Sequence, residues 1–262
     1  MLEYQNVSKV YEDGTVALSD FNSSIDKGEF VTVLGPSGAG KSTLLRCTNR
    51  LVEPTSGKIF LNEVEILKLK GKKLRKTRQN IGMIFQQFNL VRRLSVIKNV
   101  LSGRLSHSSS LTSVFHSFGK RDYNLSMECL ERVSLDSLAN RRADTLSGGQ
   151  QQRVAIARGL AQEPEVILAD EPVASLDPRT AREIMELLKE ISRQDKITVI
   201  VNLHMVDLAK EFADRIIGLA EGKIVLDGDT SLLDEYFRTI YYGDMQEELR
   251  EENSEETFTV GE

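Results

Sequence analysis

The chain has no tryptophan and only two cysteines among its 262 residues. Cys47 and Cys129 lie far apart and match neither a disulfide framework nor the paired spacing of a metal site, so both read as small buried or half-buried residues. No apolar run approaches the roughly 18–20 residues that a membrane-crossing helix needs. The opening Met1-Leu2-Glu3-Tyr4-Gln5-Asn6 has neither the basic start nor the apolar stretch of a signal peptide, which points to the cytosol. Strong positive charge is missing as well: the net charge is −5 and the pI near 5.5, which argues against nucleic acid as the main partner. What remains is an ordinary globular composition, 40% hydrophobic and 28% charged, in a chain long enough for a full-sized core.

Leu2–Val10 is β-like, residues 21–25 alternate as a strand, and Phe30–Leu34 is continuously apolar or β-branched, as a strand buried on both faces should be. A helix is expected from about 41 to 50, stopping before the turn cluster Glu53-Pro54-Thr55-Ser56-Gly57. Residues 58–61 read as a strand, 68–78 as a basic helix with a solvated face, and Ile81-Gly82-Met83-Ile84-Phe85 as an apolar run. From Gln86 to about Leu160 the pattern turns helical, interrupted by a Ser-rich patch at 105–119 that reads as a loop or small insertion. A buried strand follows at 166–169. Asp177-Pro178 then opens a helix, with Ala181, Ile184, Leu187, Leu188 and Ile191 on its apolar face. Residues 198–203 and 215–219 are further apolar strands, and the acidic tail 244–262 reads as frayed. The alternation predicts an α/β fold whose mostly parallel sheet is covered on both faces. We expect one domain over residues 1–243: a P-loop NTPase core of RecA-like kind, an N-terminal antiparallel β subdomain and an inserted α-helical subdomain at about 87–160.

Gly35-Pro36-Ser37-Gly38-Ala39-Gly40-Lys41-Ser42 follows a strand and opens a helix, the context that gives this spacing chemical meaning. Glycines let the backbone wrap tightly, so that several N–H groups point at the β- and γ-phosphates of a nucleotide. The helix N-terminus adds partial positive charge, Lys41 a full charge between the phosphates, and Ser42 a hydroxyl for Mg2+. Thr43 falls on the α-phosphate side. Asp170 ends a buried strand, where a carboxylate can hold the Mg2+ shell, and Glu171 enters the same crevice as a general base for the attacking water. His204 closes the strand at 198–203, where an imidazole can bond the γ-phosphate and keep Glu171 and the water in line. Gln86 can reach the Mg2+ or the water with its amide and lose that contact when the helical part swings; Gln87 fits equally on sequence alone. Tyr11 is a candidate platform for adenine, although a lone Tyr is more often a core or surface residue.

Leu146-Ser147-Gly148-Gly149-Gln150 is a second anion site in a chain whose first is already complete. Two glycines at a helix start expose N–H groups, and Ser147 adds a hydroxyl; the plainer alternative is a capped helix with a flexible lead-in. With these motifs in this order the chain resembles the ATP-binding cassette (ABC) ATPases from Leu2 to about Gly243. The resemblance implies two ATP molecules sandwiched in a head-to-tail homodimer, the Ser147-Gly148-Gly149-Gln150 loop of one subunit covering the γ-phosphate held by the other. It assigns Gln86 to the Q-loop, Asp170 to Walker B, Glu171 to the catalytic base, Ser175-Leu176-Asp177 to the D-loop, His204 to the switch histidine and Tyr11 to adenine stacking. Residues 49–57, 82–91, 99–105, 169–178 and 201–204, among them Gly82-Met83-Ile84-Phe85-Gln86-Gln87-Phe88 and Pro172-Val173-Ala174-Ser175-Leu176-Asp177-Pro178, resemble the phosphonate-importer branch. Gly159 departs from that family's usual Ala, and Gly costs a helix about 1 kcal/mol relative to Ala.

The function so implied is an ATPase subunit using ATP and Mg2+, peripheral on the cytoplasmic face of the plasma membrane. Its partners would be a permease pair and an extracytoplasmic binding protein, with no nucleic acid, and its work the uptake of phosphonates or related phosphorus oxyanions. The rival is a soluble cassette ATPase acting on nucleic acid or ribosomes. Such proteins usually carry two cassettes or a long coiled coil between the phosphate motifs, and this sequence has neither. An ATPase serving a lipid or peptide exporter, or another substrate, is the third reading.

Overall fold

The structure is a computed structural model that describes residues 1–107 and 118–242. Most of the Ser-rich patch and all of the acidic tail lie outside the described residues. The central strand β3 (Phe30–Leu34) is buried along its whole length. Its alternate residues serve two cores: Phe30 and Leu34 face one, Val31 and Val33 the other. That is why the sequence there shows no polar side.

Around β3 runs a six-stranded sheet in the order β10-β9-β3-β8-β7-β6, formed by β6 (Ile81–Ile84), β7 (Val166–Asp170), β8 (Thr198–Asn202), β9 (Arg215–Ala220) and β10 (Lys223–Gly228). Its pairings are parallel except the antiparallel β9–β10 hairpin. A second, antiparallel sheet of order β2-β1-β4-β5 gathers β1 (Leu2–Val10), β2 (Val16–Ile25), β4 (Ser56–Leu61) and β5 (Val64–Glu65). Between the two sheets lies α1 (Lys41–Thr48), whose Leu44, Leu45 and Cys47 share a core with Leu2, Tyr4, Phe21 and Ile59 on one side and Val31, Val33 and Leu168 on the other. Tyr4 and Phe21 meet edge to face at 5.0 Å, and burial of each large side chain of this kind stabilises the fold by roughly 1.5–3 kcal/mol.

The opposite face of the main sheet carries α6 of the chain (Pro178–Asp195), whose Ile184, Leu188 and Ile191 are buried against it. Three helices, α3 (Val96–Leu101), α4 (Lys120–Arg132) and α5 (Gly148–Leu160), share that second core through Val100, Leu130, Val154 and Ala157. Arg104 is 4% exposed and clasps this region, donating to Asp122 at 3.0 Å, the Ala161 carbonyl at 2.8 Å and Glu163 at 2.7 Å. The basic segment forms α2 (Gly71–Gln79) with no buried residue, a solvated face as expected.

The observed boundaries differ from the expected ones in a few places. Helix α1 ends at Thr48 rather than 50, because Arg50 turns to φ +55° and the Val52 N–H returns to the Arg46 carbonyl. Strand β8 ends at Asn202, so Leu203 and His204 lie beyond it, although the Leu203 N–H still bonds the Val33 carbonyl. Strand β10 and the helices α7 (Val206–Phe212) and α8 (Leu233–Tyr242) were not foreseen.

Candidate functional site

At the C-terminal edge of β3 the chain wraps through residues 35–40 into α1. Gly40 sits at the helix N-cap with φ +100°, and a Cβ there would lie 2.0 Å from the Ala17 carbonyl oxygen, so only glycine lets the loop pass so close to β2. No side chain caps α1 and no acid occupies its first turn. The leading N–H groups are thereby left for an external anion. Lys41, 5% exposed, donates to the carbonyls of Gly35 at 2.7 Å and Pro36 at 2.9 Å, which draws the ammonium along the loop. Burial lowers its pKa, while the charges of Glu171 and Asp170 work in the opposite sense. Tyr11 stands over this helix, its hydroxyl 3.1 Å from Thr43 Oγ1 and its ring half exposed beneath the Lys9 ammonium.

The next strands bring the acids to the same edge. Asp170, at the end of β7, is 4% exposed. Its Oδ1 accepts from Ser42 Oγ at 2.6 Å and Asn202 Nδ2 at 2.9 Å, and its Oδ2 from Arg46 at 3.3 Å. Glu171 follows with φ +50°, a conformation that costs a non-glycine residue about 1–3 kcal/mol and is typically held only where the surroundings impose it. Its Oε1 lies 2.6 Å from His204 Nε2. Gln86 lies two residues past β6, whose pairing with β7 ends at Ile84↔Ala169, two residues before Glu171. Both Gln86 and Gln87 are exposed and line a groove of about 500 Å³ with Phe88, Arg92, Gln151 and Ser175.

A second cluster forms around the start of α5. Ser147 is its N-cap: its hydroxyl accepts from the Gln150 N–H at 3.3 Å, and Gln150 Oε1 accepts from the Ser147 N–H at 3.1 Å. The capped-helix reading is therefore true as geometry, and the N–H groups of Gly148 and Gly149 stand at the same helix end. Gly148 lies against Leu176 and Phe88, and Gly149 against Thr180. Asp177 caps α6, accepting from the Thr180 N–H at 3.1 Å, and this bond holds its carboxyl below the usual range. At the other end of α5, Arg158 donates to the carbonyls of Phe88 at 2.9 Å and Asn89 at 2.5 Å, both residues in positive-φ turns directly after Gln86-Gln87.

The folded chain thus gathers Tyr11, residues 35–43, Asp170, Glu171 and His204 in one cluster, and Ser147, Gly148, Gly149, Gln150 and Asp177 in another. Two residues at the site were not singled out in sequence. Arg46 had a readable signal, since it lies four residues after Ser42 on one helix face. Asn202 had a weaker one, a lone amide closing an apolar strand. Among the described residues no group of three or more His, Cys, Asp or Glu gathers as a metal site. Ser42 and Asp170 nonetheless offer two hard oxygen donors 2.6 Å apart beside the phosphate loop, a donor set that fits Mg2+ carried in with a nucleotide. No helix among the described residues is long and apolar enough to cross a membrane.

A strand–loop–helix phosphate cradle, paired acids at the end of β7 two strands along the same sheet edge, and a separate glycine-led helix start together define a cassette ATPase. The family described as ABC transporter matches residues 18–174. The chain belongs to that family, as an ATP-binding, ATP-hydrolysing subunit. Among its relatives, the phosphonates import ATP-binding protein PhnC of Shouchella clausii is 55% identical over 249 residues, covering 95% of this chain and 94% of that protein. PhnC of Staphylococcus aureus is 54% identical over 241 residues, covering 92% and 94%. In fold the chain is similar to a dimeric ATP-binding cassette in a post-hydrolysis state bound to ADP and Pi, with TM-score 0.77, 38% identity and coverage of 88% and 99%. It is likewise similar to cbiO1 from Clostridium perfringens, with TM-score 0.79, 32% identity and coverage of 91% and 92%.

Proposed function

We propose that the chain hydrolyses ATP to drive the import of phosphonates or related phosphorus oxyanions. The observation that carries this reading is 51–55% identity, across more than nine-tenths of the chain, to several proteins named as phosphonate import ATP-binding proteins. Its partners in that role are a second copy of itself, a pair of membrane permease subunits and an extracytoplasmic binding protein. It works as a peripheral protein on the cytoplasmic face of the membrane, and nucleic acid has no part in it. The groove beside Gln86 is the natural docking face for the permease. It touches the turn after β6, α5 through Gln151 and the D-loop through Ser175, and exposed Val91 lies next to its wall.

In this mechanism Tyr11 stacks on adenine. The N–H groups of Gly35, Ser37, Gly38, Ala39 and Gly40, with Lys41, hold the β- and γ-phosphates, Pro36 shapes the turn between them, and Thr43 holds the α-phosphate side. Ser42, Asp170 and, when the helical part is in place, Gln86 hold Mg2+. When bound, Mg2+ neutralises charge on the phosphates. Glu171 takes a proton from the attacking water, and His204 keeps Glu171 oriented through their 2.6 Å contact. Ser147, Gly148, Gly149 and Gln150 of a second copy, with Asp177 beside them, close over the γ-phosphate and complete the site.

The test is ATPase activity of the chain assembled with its permease. Addition of a binding protein loaded with methylphosphonate should raise turnover several-fold over the empty binding protein. Stimulation by RNA, with no response to the loaded binding protein, would favour the soluble cassette reading instead.

A further inference from the structure

Asn202 closes β8 directly between the two strands that carry the phosphate chemistry. By register it pairs with Val33 on β3, two residues before Gly35, and with Asp170 on β7. Registered residues of parallel strands share a face, so its side chain lies with that of Asp170 beneath the phosphate loop. Asn202 is 0% exposed. Its Nδ2 donates to Asp170 Oδ1 at 2.9 Å, the same oxygen that accepts the Ser42 hydroxyl. Because a carboxylate only accepts, this contact fixes which end of the amide faces Asp170. The other end, Oδ1, is buried with no hydrogen-bond partner.

An acceptor buried without a partner costs roughly 1–3 kcal/mol. An apolar residue of similar size would fill the strand end without that cost, as Val199, Ile200 and Val201 do along the same strand. The amide is therefore retained for what it contacts. Resting on the reading of Asp170 and Ser42 as the Mg2+ donors, we propose that Asn202 is a positioning residue of that site. Its N–H aims Asp170 Oδ1 at the Ser42 side, and its buried oxygen accepts a hydrogen bond from a water that arrives with Mg2+–ATP. Arg46, on Asp170 Oδ2, completes the orientation from solvent.

The experiment is a Mg2+ titration of trinitrophenyl-ATP binding, with the same nucleotide bound in EDTA as reference, on wild type, Asn202→Leu, Asn202→Ala and Asp170→Asn. A hydrogen bond to a charged group corresponds to about tenfold or more in affinity. We expect both Asn202 variants to need about tenfold more Mg2+ for half-saturation, with binding in EDTA unchanged. Asn202→Leu should melt close to wild type, because loss of the bond to Asp170 is offset by removal of the unpartnered oxygen. An unchanged Mg2+ requirement in the Asn202 variants overturns the proposal, as does a loss of fold in both, which would make the residue structural. Asp170→Asn separates the two levels. If it leaves the Mg2+ requirement intact, the metal-site reading itself fails. If it abolishes the requirement while the Asn202 variants do not move it, only the present inference fails.

Discussion

Replacing Glu171 with Gln removes a negative charge and a basic oxygen while keeping shape. In the wild-type chain Glu171 Oε1 lies 2.6 Å from His204 Nε2, and a Gln amide oxygen can hold the same position. The backbone at φ +50° is set by the strand end and the following turn, which the substitution does not touch. What is lost is proton acceptance, worth about 10²–10⁴ in rate for a positioned general base, or about 3–5 kcal/mol at 1.36 kcal/mol per decade. The sign of the binding effect follows from Lys41, whose ammonium is favoured by the Glu171 charge. Removing one negative charge beside a site for a polyanion leaves ATP affinity unchanged or improves it. We therefore expect kcat to fall about 10²–10⁴-fold with no loss of nucleotide affinity. Phosphate release, fluorescent-nucleotide titration and size-exclusion chromatography in Mg2+–ATP measure the three quantities, and the last should reveal an accumulated dimer. Turnover close to wild type, or a loss of ATP affinity in place of turnover, would refute the assignment of Glu171 as base.

Ser147→Arg removes the α5 cap, at a cost of about 1 kcal/mol, and sets a long cation at the helix start; placed in the Glu171→Gln background it should abolish the ATP-dependent dimer while the monomer still binds ATP, and dimers persisting on the column would contradict the shared site. Gly159→Ala should stabilise the chain by about 0.5–1 kcal/mol, raising the melting temperature by roughly 1–4 °C, since the added Cβ meets only Ile84 Cγ1 at 3.9 Å; a lower melting temperature would show that the position is overpacked. Burial pushes the Cys47 thiol up to about 12 and the Cys129 thiol up to about 11. At pH 8 the native chain should therefore show no rapidly reacting thiol towards Ellman's reagent and two in denaturant, whereas a fast native reaction would mean that one of these sites opens.

Sequence legibility followed the range of the interaction. The phosphate loop is local: its glycines, Lys41 and Ser42 are consecutive, and the strand and helix on either side are visible as apolar runs. Strand β3 was readable because both of its faces meet a core, which removes every polar position. Strand β10 was not, since it lies at the sheet edge, only Leu226 is fully buried, and Lys223 and Asp227 face solvent. Helix α1 stops early because of Arg50, whose left-handed backbone no propensity announces. The contacts that organise the acids span large separations: Ser42 meets Asp170 across 128 residues and His204 meets Glu171 across 33. A sequence names such residues one at a time, and only the sheet order places them side by side. Asn202 escaped notice for that reason, its importance lying wholly in its register with Asp170.

Helix α5 is held at both ends by the parts it would have to coordinate. Its first two residues are Gly148 and Gly149, and Arg158, two residues before its last, grips the backbone that follows Gln86. Thirteen residues of α-helix make a strut about 20 Å long, stiff along its axis because each turn is bonded to the next. A push delivered at Phe88 and Asn89 therefore reaches Ser147 as displacement of the same rod and is not relayed through soft intermediates. Under the proposed function, movement beside a permease and closure over a second copy's nucleotide would be one mechanical coordinate, so that blocking either blocks the other.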